Sequence, residues 1–439
     1  MTDPIKVLYS WIGPRGPISN TELPSILCFT MVAEQVSTTS SKFWAESNYK
    51  NYFYFNESFS LNSTFGITEK DTFIYPYALT WRVPFSSYFF PENGILEFSH
   101  TPAHITHLVA HGNGYFVIEC TFEAWVLYEH LNAMHKYFEA NHIPLGKIIY
   151  LTGCVNATEM YNRWCLHNGI PDTPDTRLNI ISVPSARYTV LSGYYPERPD
   201  PEYDSESIPE KLFLCWNRRF RSHRTLLILS LDKLGLVDRS YYSMGKTDPE
   251  FNYQKFTESV RMNLYSNNPY LLTYQDLINL DEKLPLTIDG ETQIGEMCSN
   301  NTGNATQYYE KSLISIITET NCDSEYITLT EKTFKVFKEK HPFILVGVPG
   351  SLKAVRELGF KTFNEFWDES YDEIEDFNQR LLKIISICKE IGEWDNAKIL
   401  DFKRKVKPII DYNHRYLKSG NTNEISNKIK DIVRKKNIE

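Results

Sequence analysis

The stretch YFVIECTFEAWVLYEHLNAMHKYFEANHIPLGKIIYLTG, Tyr115 to Gly153, decides the fold. YFVIEC is a short run of apolar, aromatic and β-branched residues and reads as a buried strand. TFEAWVLYEHLNAMHKYFEA then carries helical periodicity, and KIIYLTG returns to strand. Just beyond, NATEMYNRWCLHNG (156–169) opens on capping residues and ends at Gly169, and LNIISVP (178–184) follows as another strand. Strand and helix alternate over connections so short that a parallel sheet covered by helices is the expected result.

Toward the N-terminus, KVLYSWI (6–12) reads as a strand opened by the GPRGP loop that carries Arg15, while residues 20–100 are aromatic-rich and irregular. Toward the C-terminus, YYPERPDPEYDSESIPE (194–210) holds four prolines and six acids without hydrophobic periodicity, which marks a domain junction. The same grammar then restarts. KLFLCWN (211–217) is a strand, RRFRSHR a loop, RTLLILSLDKLGL a helix, and SLISIIT (312–318) and PFILVG (342–347) are further strands. Beyond Phe360 the chain is mostly helical; NQRLLKIISICKEIG (378–392) is amphipathic and Pro408 is an expected helix break. The organisation expected is an α/β domain over 1–195, a linker over 196–210, a second α/β domain over 211–390 and a basic helical tail over 391–439.

Composition fits this plan. The chain has 439 residues, 42% hydrophobic and 23% charged, with an aromatic share of 14% dominated by Tyr and Phe, as expected for two folded domains rather than a disordered chain. The first residues carry an acid and a proline where a signal peptide would be basic, and no run reaches the roughly 18 apolar residues of a membrane span, so a cytoplasmic protein without membrane contact is expected. The eight cysteines lack CxxC pairs and metal-ligand spacing and read as reduced core thiols. The net charge of −9 is uneven: residues 398–439 hold 12 Lys/Arg against 5 Asp/Glu, +7, which leaves −16 for the rest. That basic end reads as a solvated helical face or as a strip for a phosphate backbone.

Two stretches carry candidate chemistry. Asn217-Arg218-Arg219-Phe220-Arg221-Ser222-His223-Arg224 lies between a strand and a helix, which in a parallel sheet is the carboxyl edge where ligands bind. Guanidinium groups there suit phosphate oxygens. In Thr330-Glu331-Lys332, Thr330 is placed to cap a helix whose free amides make an anion site; Lys332 adds charge and Glu331 can accept paired hydroxyls, as on a ribose. Upstream, Glu319-Thr320-Asn321 end the strand SLISIIT and open onto the same edge. HGNG (111–114) lacks dinucleotide-fingerprint spacing, VGVPGS (346–351) lacks the lysine of a P-loop, and His104 and His107 have no third ligand nearby, so no metal site is assigned.

The ordered set CWNRRFRSHR, ITETN, TEKTFK, PFILVG and PGSLKAVRELGFKTF resembles the donor-binding domain of fucosyltransferase-like GT-B glycosyltransferases, and in wording it is similar to relatives in tailed phages and large viruses. The resemblance covers roughly residues 211–390. It implies two Rossmann-like domains facing a cleft, here with a helical C-terminal extension. The substrate implied is a nucleotide-diphosphate sugar, with inversion at the anomeric carbon and no required cofactor or metal. By position, Arg218 or Arg219, Arg224 and Lys332 would hold the diphosphate, Glu331 the ribose and Asn321 the phosphates or sugar. Fixed cations there would stabilise the departing diphosphate. The nearest acid pair to a metal-binding motif, DSE (204–206), lies in the linker.

The first half matches no acceptor domain, so the general base is inferred from position: Glu119 at the end of YFVIE first, His111 in the HGNG loop second, with Arg15 a possible contact to acceptor or donor. The acceptor stays open among a glycan, a protein and a hydroxymethylated base in viral DNA; in the viral case the enzyme would act in the host cytoplasm. The competing reading is a non-catalytic nucleotide- or glycan-binding module on a degenerate transferase fold. A phosphatase or nuclease would need an acid cluster at strand ends, which the sequence does not show.

Overall fold

A computed structural model describes residues 5–9, 59–63, 66–78, 101, 103–121, 127–184, 186–187, 190, 199–217, 220–245, 272–284, 286, 288, 306–419 and 424–435. Arg15, Arg218, Arg219 and most of residues 20–100 lie outside them. The chain divides into two compact units, one formed by residues 1–194 with 421–439 and the other by 195–420.

The first unit contains β1 (Ile5–Tyr9), β2 (Phe59–Ser63), β3 (Phe73–Ala78), α1 (Ala103–His111), β4 (Gly114–Cys120), α2 (Leu127–Ala140), β5 (Ile148–Thr152), α3 (Ala157–His167) and β6 (Asn179–Ser182). Its six strands pair in the order β2-β1-β3-β4-β5-β6, all parallel. All seven residues of β4 and all five of β5 are buried, as apolar runs covered on both faces must be. Gly114 is required where β4 begins, because a Cβ there would run into the ring of Phe73 on β3. α3 stops at His167 and the chain turns through Gly169 at φ +66°, a conformation that glycine adopts without strain.

The second unit contains β7 (Lys211–Cys215), α4 (Ser222–Lys233), β8 (Ser240–Tyr242), α5 (Tyr274–Lys283), α6 (Thr306–Glu310), β9 (Ser312–Thr318), α7 (Glu331–Lys338), β10 (Phe343–Val346), α8 (Ser351–Glu357), α9 (Phe377–Gly392) and α10 (Asn396–Lys418). Its strands pair in the order β10-β9-β7-β8, again all parallel. Both units are thus α/β, with parallel sheets and helices, and the second ends in the long helices α9 and α10.

The region expected to be a basic tail is divided between the units. α10 runs unbroken through the expected break at Pro408. The lost amide of an interior proline costs about 3 kcal/mol. Here Ile399, Phe402, Val406, Ile410 and Leu417 keep one continuous buried stripe on both sides of the proline, and their burial outweighs that cost. α11 (Glu424–Lys435) returns to the first unit, where Ile425, Ile429 and Val433 join Ile5, Ile74, Val117, Ile149 and Ile181 in its core.

The proline-rich segment 199–210 also packs as part of the second unit. Its acids meet the cations of α10: Glu206 pairs with Arg404 at 2.6 Å, Lys418 pairs with Asp200, and Lys403 donates to the Ser207 carbonyl at 2.7 Å. Lys405 and Lys407 pair within the helix with Asp401 and Asp411, each at 2.7 Å. Lys403, Arg404, Lys405, Lys407 and Lys418 of α10 thus each have an acceptor within the unit, where a free basic strip was one of the two readings expected.

Candidate functional site

In the second sheet β7 and β8 lie on one side and β9 and β10 follow on the other, so strand order reverses between β7 and β9. Crevices for ligands form at such a reversal, at the carboxyl ends of the strands. The two stretches singled out above both arrive there. β7 delivers Asn217 and the start of α4; β9 delivers Glu319 and the loop into α7.

Glu319 is the hub. It is 1% exposed, and its carboxylate accepts from the Thr330 amide at 2.9 Å, the Thr330 hydroxyl at 2.6 Å and the Thr333 hydroxyl at 2.6 Å. These bonds fasten the first turn of α7 to the end of β9. Lys332 is fixed by the same set: its ammonium donates to Thr330 Oγ1 at 2.9 Å and stands 3.6 Å from Glu331 and 4.0 Å from Glu319. Its side chain is 22% exposed. Glu331 is half exposed; burial would raise its carboxyl, but Lys332, the helix-start amide and Lys335 hold it below the usual carboxylate range.

The backbone of Glu319 ties in the other stretch. Its amide donates to the Val346 carbonyl at 2.9 Å, on β10. Its carbonyl meets His223 Nε2 at 3.0 Å and the Arg224 guanidinium at 3.5 Å, and Arg224 also donates to the Thr318 carbonyl at 3.3 Å. Because its partner is a carbonyl, His223 Nε2 carries the hydrogen. Burial, with Arg224, Arg221 and Lys332 nearby, pushes the imidazole down to about 3, so the ring is neutral at physiological pH. His223 and Lys332 both approach Glu319, so the start of α4 and Lys332 share one neighbourhood. Asn217, fully buried, accepts from the Thr318 hydroxyl at 2.5 Å, and its backbone N–H donates to the Ser243 hydroxyl oxygen at 3.2 Å, which joins the ends of β7, β8 and β9.

This arrangement changes two expected roles. Arg224 is 3% exposed and its Nη2 donates to the strand-end carbonyls, with burial lowering the guanidinium to about 10, so in this structure it lies under the edge as part of its floor. Glu319, named in the sequence only as a strand end, proves central. An acid directly after the mostly apolar SLISIIT, with a Thr-x-x-Thr pair eleven residues on, was the available signal. Asn321 lies partly buried two residues beyond Glu319 on the same loop. The VGVPGS loop offers no phosphate cradle, because the Asp372 carboxylate already accepts from the amides of Leu352 and Lys353 at 2.8 and 2.9 Å.

In the first unit Glu119 is the penultimate residue of β4, 5% exposed, and accepts from the amide and hydroxyl of Thr121. Burial pushes its carboxyl up against the lowering effect of Thr121. His111 ends α1, exposed, at the opposite, amino edge of the sheet, beside His107 with ring centroids 4.7 Å apart. The two base candidates therefore cannot share one reacting atom, and the edge rule favours Glu119. Among the described residues no three His, Cys, Asp or Glu side chains come together to hold a metal ion.

The chain matches no protein family model and no curated protein sequence. Solved structures similar to it include the N-terminal domain of Candida albicans trehalose-6-phosphate phosphatase, at TM-score 0.39 and 9% identity over 98% of this chain and 96% of that one. A UDP-forming α,α-trehalose-phosphate synthase from Burkholderia vietnamiensis aligns at TM-score 0.40 and 9% identity over 94% and 80%. A glycosyltransferase from Rickettsia africae aligns at 0.34 and 13% over 99% and 100%. Likeness of this degree carries no argument about the site, which stands on its own geometry. No helix among the described residues is long and apolar enough to cross a membrane.

Proposed function

We propose that the chain is a glycosyltransferase that moves a sugar from a nucleotide-diphosphate sugar to an acceptor hydroxyl, with the donor held at the carboxyl edge of β7 and β9. The observation that carries this reading is the convergence there of Lys332, the start of α4 and the carboxylate pair Glu319 and Glu331 around one buried hydrogen-bond hub. Amides at a helix start favour an anion, and a lysine fixed beside them adds a full positive charge.

In this reading Lys332 and the amides of α4 receive the diphosphate, joined by Arg218 or Arg219, which lie outside the described residues. Glu331, half exposed, accepts the ribose hydroxyls, and Asn321 faces the phosphates or sugar. As the bond from anomeric carbon to phosphate oxygen breaks, charge grows on the diphosphate, and prepositioned cations stabilise that charge more than they stabilise the ground state. This supplies the role a metal would otherwise fill. Glu119 takes the acceptor proton, aided by a carboxyl that burial has made more basic. Attack opposite the leaving group inverts the anomeric centre. The acceptor is a glycan or protein hydroxyl; the pairing of α10's cations within the chain removes much of the case for a hydroxymethylated base in DNA.

The test is donor turnover: the full chain is incubated with UDP-, GDP-, ADP- and dTDP-sugars in the presence of EDTA, and release of free nucleotide is followed. Turnover of one donor by the native chain, lost in Lys332→Ala, supports the reading. Binding of a nucleotide without turnover of any sugar would instead favour a binding module on the same fold.

A further inference from the structure

His414 sits near the end of α10, 3% exposed, with both ring nitrogens facing acceptors. Nδ1 lies 2.8 Å from the Lys338 carbonyl and 3.2 Å from the Phe337 carbonyl, at the last turn of α7. Nε2 lies 3.4 Å from the Asp200 carboxylate. A neutral imidazole has one N–H: bonded to the α7 carbonyls, it leaves a bare lone pair pointed at a carboxylate; bonded to Asp200, it leaves one against two carbonyl oxygens. Only the imidazolium satisfies both sides. Carbonyls at a helix C-terminus favour the same cation.

The other charged groups around the ring divide in sign. Lys418, one turn further along α10, also engages Asp200, and together with His414 it holds that carboxyl below the usual range. Lys340, which follows α7, is 3.5 Å from Asp411 on α10, and Asp411 is also taken by Lys407. Lys338, whose carbonyl meets Nδ1, ends α7, and Arg415 follows His414 in sequence. Asp200 is the one carboxylate directed at Nε2.

Position gives this cluster its meaning. The chain enters the second unit after residue 194 and leaves it after residue 420. Asp200 lies just inside the entry and Lys418 just before the exit, with His414 one turn earlier, and α7 begins at the other end with Glu331 and Lys332. We propose that His414, Asp200 and Lys418 form a pH-sensitive clasp: protonated His414 gathers the entering and leaving segments onto the end of α7, and loss of its proton releases Asp200 from the ring. Lys418 alone cannot replace it, because it reaches only the Asp200 side and makes no bond to α7.

The test uses the full chain with 15N-labelled histidine, no ligand, and long-range NMR of the ring nitrogens from pH 5 to 8.5, with His414→Gln assigning the resonance. The expected result is a His414 ring protonated on both nitrogens at the acid end in the native chain, and on one nitrogen only in Asp200→Asn under the same conditions. Backbone exchange at Leu417 and Ser419, corrected for intrinsic rate, should be about ten-fold faster above the transition than below, a dependence that His414→Gln abolishes. A ring that stays singly protonated down to pH 5, a protonation state unchanged by Asp200→Asn, or a pH dependence of exchange that survives in His414→Gln would each overturn the clasp.

Discussion

Replacing Glu319 by Gln tests how the site is assembled, and its cost can be worked from the contacts. Glu319 Oε1 accepts from the Thr330 amide and the Thr333 hydroxyl, and Oε2 accepts from the Thr330 hydroxyl with Lys332 at 4.0 Å. A glutamine can keep its oxygen at the first position, which preserves two bonds. Its NH2 then falls where Oε2 was, facing a hydroxyl that already receives the Lys332 ammonium at 2.9 Å. One charge-assisted hydrogen bond becomes a donor against a donor, and Lys332 loses its buried counter-charge. Bonds to charged groups contribute about 1.5–3 kcal/mol each, so Glu319→Gln should destabilise the second unit by about 2 kcal/mol. Glu319→Ala, which strands two threonine hydroxyls and opens a void, should cost about 4 kcal/mol. Urea unfolding of the full chain, followed by the fluorescence of Trp367 and Trp394 in the second unit, measures both. A double-mutant cycle with Thr333→Val should return a coupling of about 1 kcal/mol. Glu319→Gln within about 0.5 kcal/mol of the native chain, or no coupling to Thr333, would refute the hub.

Pro408→Ala restores an amide donor inside α10 without touching the buried stripe, so it should stabilise the second unit by up to about 2 kcal/mol in the same unfolding assay; a destabilised variant would mean the proline is needed. Ile429→Ala should cost the first unit about 3 kcal/mol, because Ile429 is fully buried in that unit's core, and thermal melting that leaves the first unit unchanged would separate α11 from it. Glu119 gives a pH signature. Its folded carboxyl is raised by burial, so the stability it contributes is full below the ordinary carboxyl range and is lost as pH rises through the folded value. The stability of Glu119→Gln relative to the native chain should therefore increase between pH 4 and pH 8, and a flat or falling difference would contradict the burial argument.

The sheets were largely legible in the sequence because both-face burial leaves uninterrupted apolar runs. SLISIIT became β9 residue for residue, KLFLCWN and PFILVG each contain their strand, and β4 is YFVIEC with Gly114 added in front. Thr330 was legible as a cap because its neighbours supply a local signal. What escaped depends on partners distant in sequence. Glu319 has its role because α7 folds back onto it, and Arg224 is buried with its Nη2 on the carbonyls that end β9. Lys403, Arg404 and Lys418 looked like a free basic strip because their acids lie about two hundred residues earlier, in a segment that composition alone marked as a linker. Pro408 misled for a related reason: a local rule about proline does not weigh a buried stripe that continues past it. His111 and Glu119 are near neighbours in sequence yet sit at opposite ends of one strand, which only the register of β4 reveals.

The most direct test of the central claim is calorimetric titration of the full chain with UDP, GDP, ADP and dTDP, in EDTA and again with magnesium, on the native protein and Lys332→Met. The account predicts that one diphosphate binds with and without magnesium. Lys332→Met should weaken it about ten-fold or more, the loss expected when a charged partner of a phosphate is removed. Binding of that diphosphate unchanged by Lys332→Met, or no binding of any nucleoside diphosphate, would contradict a donor site at the carboxyl edge of β7 and β9.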